Sequence, residues 1–83
     1  MRVRVRYFAS LREALGAEEQ VELPAGCTVG EARALLIERS AAHAQALRAD
    51  RVLRAALDQR LAEGAAPIRD GAELAFFPPV TGG

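Results

Sequence analysis

Residues 2–8 alternate, with Val3, Val5 and Tyr7 on one face and Arg2, Arg4, Arg6 and Phe8 on the other. Period two with β-branched residues predicts a half-buried strand. Ser10 followed by Glu13 has capping-box spacing, which predicts a short helix over 11–15 that stops at Gly16. Alternation resumes over 20–23 with Val21 and Leu23 inward, and Pro24, Ala25 and Gly26 close that second strand. Thr28 and Glu31 repeat the capping-box spacing at the head of a longer helix. Its apolar stripe is Val29, Ala32, Leu35 and Leu36 with Ile37 at the margin, while Arg33, Glu38 and Arg39 face water. Residues 41–49, rich in alanine with glutamine, leucine and arginine, add further helix. Residues 52–57 read as a third strand, Asp58-Gln59 as a turn, and Leu61 lies in a brief return segment. Residues 63–67 are loop, Asp70-Gly71 is a turn, and 73–77 form the last strand with Leu74 and Phe76 inward. Pro78 and Pro79 have no amide hydrogen for a ladder, so the sheet ends there. The order β, short α, β, long α, β, β predicts an α+β roll in which a small mixed sheet packs on one main helix.

The same alternation puts two phenylalanines on the wrong face. With Val3, Val5 and Tyr7 inward, Phe8 points out; with Leu74 and Phe76 inward, Phe77 points out beside Glu73 and Ala75. If the first and last strands are neighbours, Phe8 and Phe77 meet on the helix-free face as an exposed aromatic patch, the mark of a partner surface. The competing reading tucks one of them under a loop or reverses the alternation with a bulge. Leu61 is a candidate extension of the patch. Arg2, Arg4 and Arg6 are either its basic rim or a plain solvated face, the commoner role of such a pattern.

Composition narrows the function. Eighty-three residues make one domain, and eleven basic against eleven acidic residues leave no bulk attraction to nucleic acid or to an anionic membrane. Every basic residue among the eleven is arginine; lysine is absent. One cysteine, Cys27, excludes an internal disulfide framework and a cysteine-based zinc site. It precedes the helix cap Thr28, where a helix N-terminus lowers a thiol pKa, but a lone cysteine is more often a small packing residue. His43 has no second ligand or carboxylate three or four positions away and is read as a surface residue. No apolar run approaches the roughly 20 residues of a membrane helix, and the opening residues lack a signal-peptide block, so a cytoplasmic location is expected.

The end of the chain carries the candidate chemistry. Residues 1–77 read as the folded domain and residues 78–83 as an extended tail. Pro78-Pro79 sets polyproline geometry, Val80 and Thr81 follow, and Gly82-Gly83 carry no bulk. The extended reach from Pro78 to Gly83 is on the order of 20 Å. Such a tail suits delivery of the Gly83 carboxylate into a distant, narrow pocket; a frayed terminus is the bland alternative. A carboxylate needs activation, for example as an acyl-adenylate. The sequence shows no phosphate-binding glycine loop, metal-ligand cluster or nucleophile–base pair to supply it. The chain is therefore expected to bind no cofactor itself and to act as a carrier or co-substrate of other proteins.

Residues 70–83, ending Phe76-Phe77-Pro78-Pro79-Val80-Thr81-Gly82-Gly83, closely resemble the C-terminus of the molybdopterin synthase small-subunit family. The opening residues 5–13 and the helix start Thr28-Val29-Gly30-Glu31-Ala32 resemble that family too, so the likeness spans the chain. It implies a ubiquitin-like β-grasp fold and a sulfur carrier of molybdenum cofactor biosynthesis, a non-catalytic subunit in a heterotetramer with the large subunit. It further implies that a ubiquitin-activating-type adenylyltransferase uses ATP to adenylate Gly83, that a thiocarboxylate follows, and that sulfur passes to a cyclic pterin precursor in the large subunit. Gly82 and Gly83 would carry the reaction, with Phe8, Leu61, Phe77, Pro78, Pro79, Val80 and Thr81 facing the partner. Relatives often carry asparagine where this chain has Asp58, and either residue suits a turn. The alternatives are a carrier for thiazole or another sulfur-containing product, a protein modifier joined to target lysines, and an interaction domain with an inert tail. The thiazole carriers generally lack the Phe-Phe-Pro-Pro approach.

Overall fold

The computed structural model describes residues 1–79. Chain order is β1 (Arg2–Tyr7), α1 (Ser10–Leu15), β2 (Glu18–Glu22), α2 (Val29–Ile37), α3 (Ala41–Ala46), β3 (Arg54–Leu57), β4 (Arg60–Ala62) and β5 (Glu73–Phe77). The strands form one mixed five-stranded sheet in the order β2-β1-β5-β3-β4. β1 lies between an antiparallel β2 and a parallel β5, and β3 runs antiparallel to both β5 and β4. In register, Val5 sits opposite Leu74 and Tyr7 opposite Phe76, and all of these are buried on the helix side. Val3, Val21, Leu11, Ala32, Leu36, Leu47 and Ile68 are among the residues that join them in that core.

α2 starts where the sequence predicts. Thr28 Oγ1 accepts from the Glu31 amide at 3.2 Å, and the Thr28 amide donates to Glu31 Oε1 at 2.9 Å, a reciprocal capping box. The next free amides are met by the loop before β5: Val29 donates to the Ala66 carbonyl at 3.0 Å and Gly30 to the Gly64 carbonyl at 2.9 Å. A Cβ on Gly30 would stand 3.2 Å from the Gly64 oxygen, so the close approach of loop and helix favours glycine here.

Five expectations need correcting. The cap of α1 is Ala9, at φ 54° and without a side-chain bond, rather than Ser10, whose Oγ instead accepts from Arg51 at 2.6 Å. The buried stripe of α2 is Val29, Ala32 and Leu36, while Leu35 is exposed. Arg33 lies beside that stripe and does not face water. Its guanidinium donates to the carbonyls of Leu47 (2.8 Å), Arg51 (2.7 Å) and Arg48, in the segment that follows α3. This clamp accompanies the early end of α3 at Ala46, and β3 opens only at Arg54, leaving Val52 exposed.

His43 is the fifth correction. Its Nε2 lies 2.7 Å from Glu19 Oε2, and its ring meets Tyr7 edge-on with centroids 6.5 Å apart. The Tyr7 hydroxyl donates to the same Glu19 oxygen at 2.7 Å, and Arg39 approaches the other at 3.5 Å. The cluster ties α3 to β1 and β2 through residues distant in sequence. Burial acts to raise the Glu19 pKa. The hydrogen bonds from His43 and Tyr7, with the charges of His43 and Arg39, outweigh it and hold the carboxyl below its usual range. A carboxylate with a depressed folded-state pKa stabilises the fold above its unfolded pKa of about 4.3, and that contribution is lost as pH falls through the folded value. Urea unfolding at about pH 5 should therefore show wild type more stable than Glu19→Gln. The margin should shrink below about pH 4.3. A margin that widens from about pH 4.3 to about pH 3 would refute the account.

Candidate functional site

The helix-free face is set by the same register that builds the core. Arg6, Ala75, Ala56 and Leu61 stand in one row across β1, β5, β3 and β4, since Arg6 pairs with Ala75, Ala75 with Ala56, and Ala56 with Leu61. Phe8 and Phe77 follow one step beyond, at the end where β5 leads into Pro78 and Pro79. Ala56 and Ala75 are nearly covered yet lie outside the main core, forming the floor of an apolar depression whose walls include Phe8, Phe77 and Pro78. Phe8 is 36% exposed and Phe77 half-buried. Both thus lie together on the open face, as strand parity predicts, and no bulge reverses them. Just past Phe8, Ala9 adopts its positive φ as the chain turns from β1 into α1.

The neighbouring residues differ in their fit to expectation. Leu61 is 68% exposed and shares the face by register, but it lines an adjoining groove with Val52, Arg54 and Pro79. Pro79 borders both depressions. Val80, Thr81, Gly82 and Gly83 lie outside the described residues. The arginines do not form a free basic rim. Arg4 bonds Glu73 at 2.7 Å, Arg6 approaches the same carboxylate at 3.8 Å, and Arg2 pairs with Glu22 at 3.2 Å. The Arg6 guanidinium also stands 5.1 Å from the centre of the Phe8 ring, a cation–π contact. The alanine floor is not singled out by the sequence, and Arg6 enters there only as part of the rim. Alternation puts Arg6 and Ala75 on this face, but placing Ala56 there needs the β3–β5 register.

The hairpin behind the patch is built tightly. Asp58 and Gln59 both have positive φ, 49° and 69°, as a two-residue primed turn requires. Asp58 Oδ1 accepts from the Glu73 amide at 3.1 Å and Oδ2 from Arg69 at 2.9 Å, which fastens the turn to the start of β5. The Glu73 amide, aided by Arg69 against slight desolvation, holds the Asp58 carboxyl below its ordinary range. Cys27 is buried, and burial with the nearby Glu31 carboxylate raises its thiol pKa. Its place in the core fits the packing role favoured for a lone cysteine. Among the described residues no group of three or more His, Cys, Asp or Glu side chains could hold a metal ion, and no helix is long and apolar enough to cross a membrane.

A mixed sheet of this order, wrapped on one face around α2 and bare on the other with an apolar patch, defines a ubiquitin-like β-grasp domain. Its last strand runs directly into the diproline of the tail. The chain belongs to the ThiS family, whose model matches residues 5–83. It is 38% identical over 81 residues to the molybdopterin synthase sulfur carrier subunit of Escherichia coli, covering 98% of this chain and 99% of that one. Small archaeal modifier protein 1 of Haloferax volcanii superposes with a TM-score of 0.77 at 27% identity, over 95% of this chain and 98% of that one. Subunit 1 in the protein–protein complex of subunits 1 and 2 of the Helicobacter pylori molybdopterin-converting factor superposes at 0.68 and 28% identity, over the whole of both chains.

The opposed faces of β5 give a direct test. Phe76→Ala, which empties a core site, should cost about 3–5 kcal/mol of stability. Phe77→Ala, already half in solvent, should cost about 1 kcal/mol. Equal losses in urea unfolding would refute the facing assigned to the two residues.

Proposed function

We propose that the chain is the sulfur carrier of a molybdopterin synthase and that Gly83 bears the transferred atom. The observation that carries this reading is the placement of Phe8 and Phe77 on the bare sheet face at the point where Pro78 and Pro79 begin the tail. Its close relative in Escherichia coli bears that function in its name. The patch supplies what a docking anchor needs, large apolar area beside a ring-stacked arginine. Pro78 and Pro79 have no amide hydrogen to donate, and β5 ends at Phe77 just before them.

In this reading an adenylyltransferase of the ubiquitin-activating type attaches the Gly83 carboxylate to the adenylyl group of ATP, releasing pyrophosphate. A sulfur nucleophile then displaces AMP and leaves a thiocarboxylate. The large synthase subunit binds the Phe8–Phe77 face, with Leu61 in the adjoining groove, and receives residues 78–83 so that sulfur reaches the pterin precursor. The carrier contributes position and no catalytic side chain. A second reading, a modifier joined to target amines through Gly83, is favoured by the likeness to the archaeal modifier protein.

Intact mass after co-expression with an activating enzyme and a sulfur donor should show oxygen replaced by sulfur in the peptide ending at Gly83. An unmodified chain, beside a second carrier that the same enzyme does convert, would sink the carrier reading. One residue added after Gly83 should abolish the conversion and leave the fold intact. Phe77→Ala should weaken binding to the large subunit by about 2 kcal/mol or more; unchanged affinity in a folded variant would remove Phe77 from the interface.

A further inference from the structure

An acyl-adenylate or thioester at Gly83 is open to attack by any free amine or thiolate, including those of the carrier itself. On this chain such groups are few and engaged or buried. It contains no lysine, and its eleven basic side chains are guanidiniums that remain protonated. Its single thiol, Cys27, is 4% exposed, with Sγ against the Thr28 carbonyl at 3.5 Å. Both nitrogens of His43 are engaged, Nδ1 with Ser40 Oγ and Nε2 with Glu19, each at 2.7 Å. The Met1 nitrogen donates to the Leu23 carbonyl at 2.6 Å and lies 3.9 Å from Glu22, so attack requires it to lose a proton and leave that carbonyl.

We propose that this chain donates its terminal acyl group but does not accept one: an activated Gly83 finds no lysine and no exposed thiol on its own or another copy, the Met1 amine is tied to the Leu23 carbonyl, and a target amine therefore carries a single copy. The reaction avoided is aminolysis. An amine nitrogen forms a bond to the Gly83 acyl carbon, the bond from that carbon to AMP or a thiol breaks with its electron pair on the leaving group, and the nitrogen sheds a proton to water. The inference rests on the carrier reading for the existence of an activated state, and its test supplies that state chemically.

The full chain is prepared as its C-terminal aryl thioester and incubated at millimolar concentration and mildly alkaline pH, with intact mass and denaturing gels as readouts. Capture by added hydroxylamine verifies that the thioester is competent in every sample. Wild type should decay to the free acid with no covalent dimer. A variant with Arg12→Lys, Arg54→Lys and Arg60→Lys, all at exposed positions, should form dimers of two chains less one water, linked to the new lysines. Wild-type dimers mapping to Met1, Cys27 or His43 would overturn the proposal. So would a lysine variant that stays monomeric while hydroxylamine captures its thioester, because missing lysines would then not be the protection. A carrier never found as a thiocarboxylate would instead overturn the carrier reading, and leave this result standing.

Discussion

The parallel pairing of β1 with β5 is the constraint from which both the core and the open face follow. It joins the two ends of the chain, with Val5 against Leu74 and Tyr7 against Phe76, at the centre of the sheet. Side chains alternate along a strand, so fixing Tyr7 and Phe76 inward fixes Phe8 and Phe77 outward. A slip of one residue in β5 would exchange Phe76 for Phe77 and leave Glu73 and Ala75 in the core. The burial of Leu74 and Phe76, of order 1.5–3 kcal/mol each, opposes that slip. Core packing on one face therefore guarantees the geometry of the other.

Much of this was legible because it depends on short-range pattern. Alternation over residues 2–8 and 73–77, the Thr28–Glu31 box and the Asp58-Gln59 turn are local signals, and the strand parity they imply places Phe8 and Phe77 correctly. The misread positions are those whose partners lie far along the chain. Ser10 has capping-box spacing, but its hydroxyl serves Arg51, forty-one positions away. His43 was judged by its neighbours on α3, whereas its carboxylate partner Glu19 is on β2, twenty-four positions earlier. Arg33 looks solvent-facing on a helical wheel, and only the path of residues 47–51 reveals the carbonyls it holds. A charged side chain is assigned to water by default, and that default fails where loop carbonyls need a donor.

The ion pairs of the open face act less through energy than through restriction. Exposed pairs such as Arg2–Glu22 are worth about 0–1 kcal/mol. Glu73, mostly covered, receives both Arg4 and Arg6, and Arg6 in turn lies over the Phe8 ring. An arginine shared between a carboxylate and an aromatic face is held in place, so one edge of the apolar depression is defined before any partner arrives. Preorganised edges lower the side-chain ordering cost of association.

Groups with intrinsic reactivity are kept away from that face. Tyr7 points into the helix-side core and meets Glu19 and His43 there, and Cys27 is buried at the start of α2. The depression beside the tail is lined by arginine, glutamate, glutamine, alanine, phenylalanine and proline, side chains that shape and anchor without attacking an acyl carbon. A docking face of this composition can be pressed against an active site without contributing a nucleophile to it. The period-two alternation that separates core from surface thus also separates reactive side chains from the surface beside the tail.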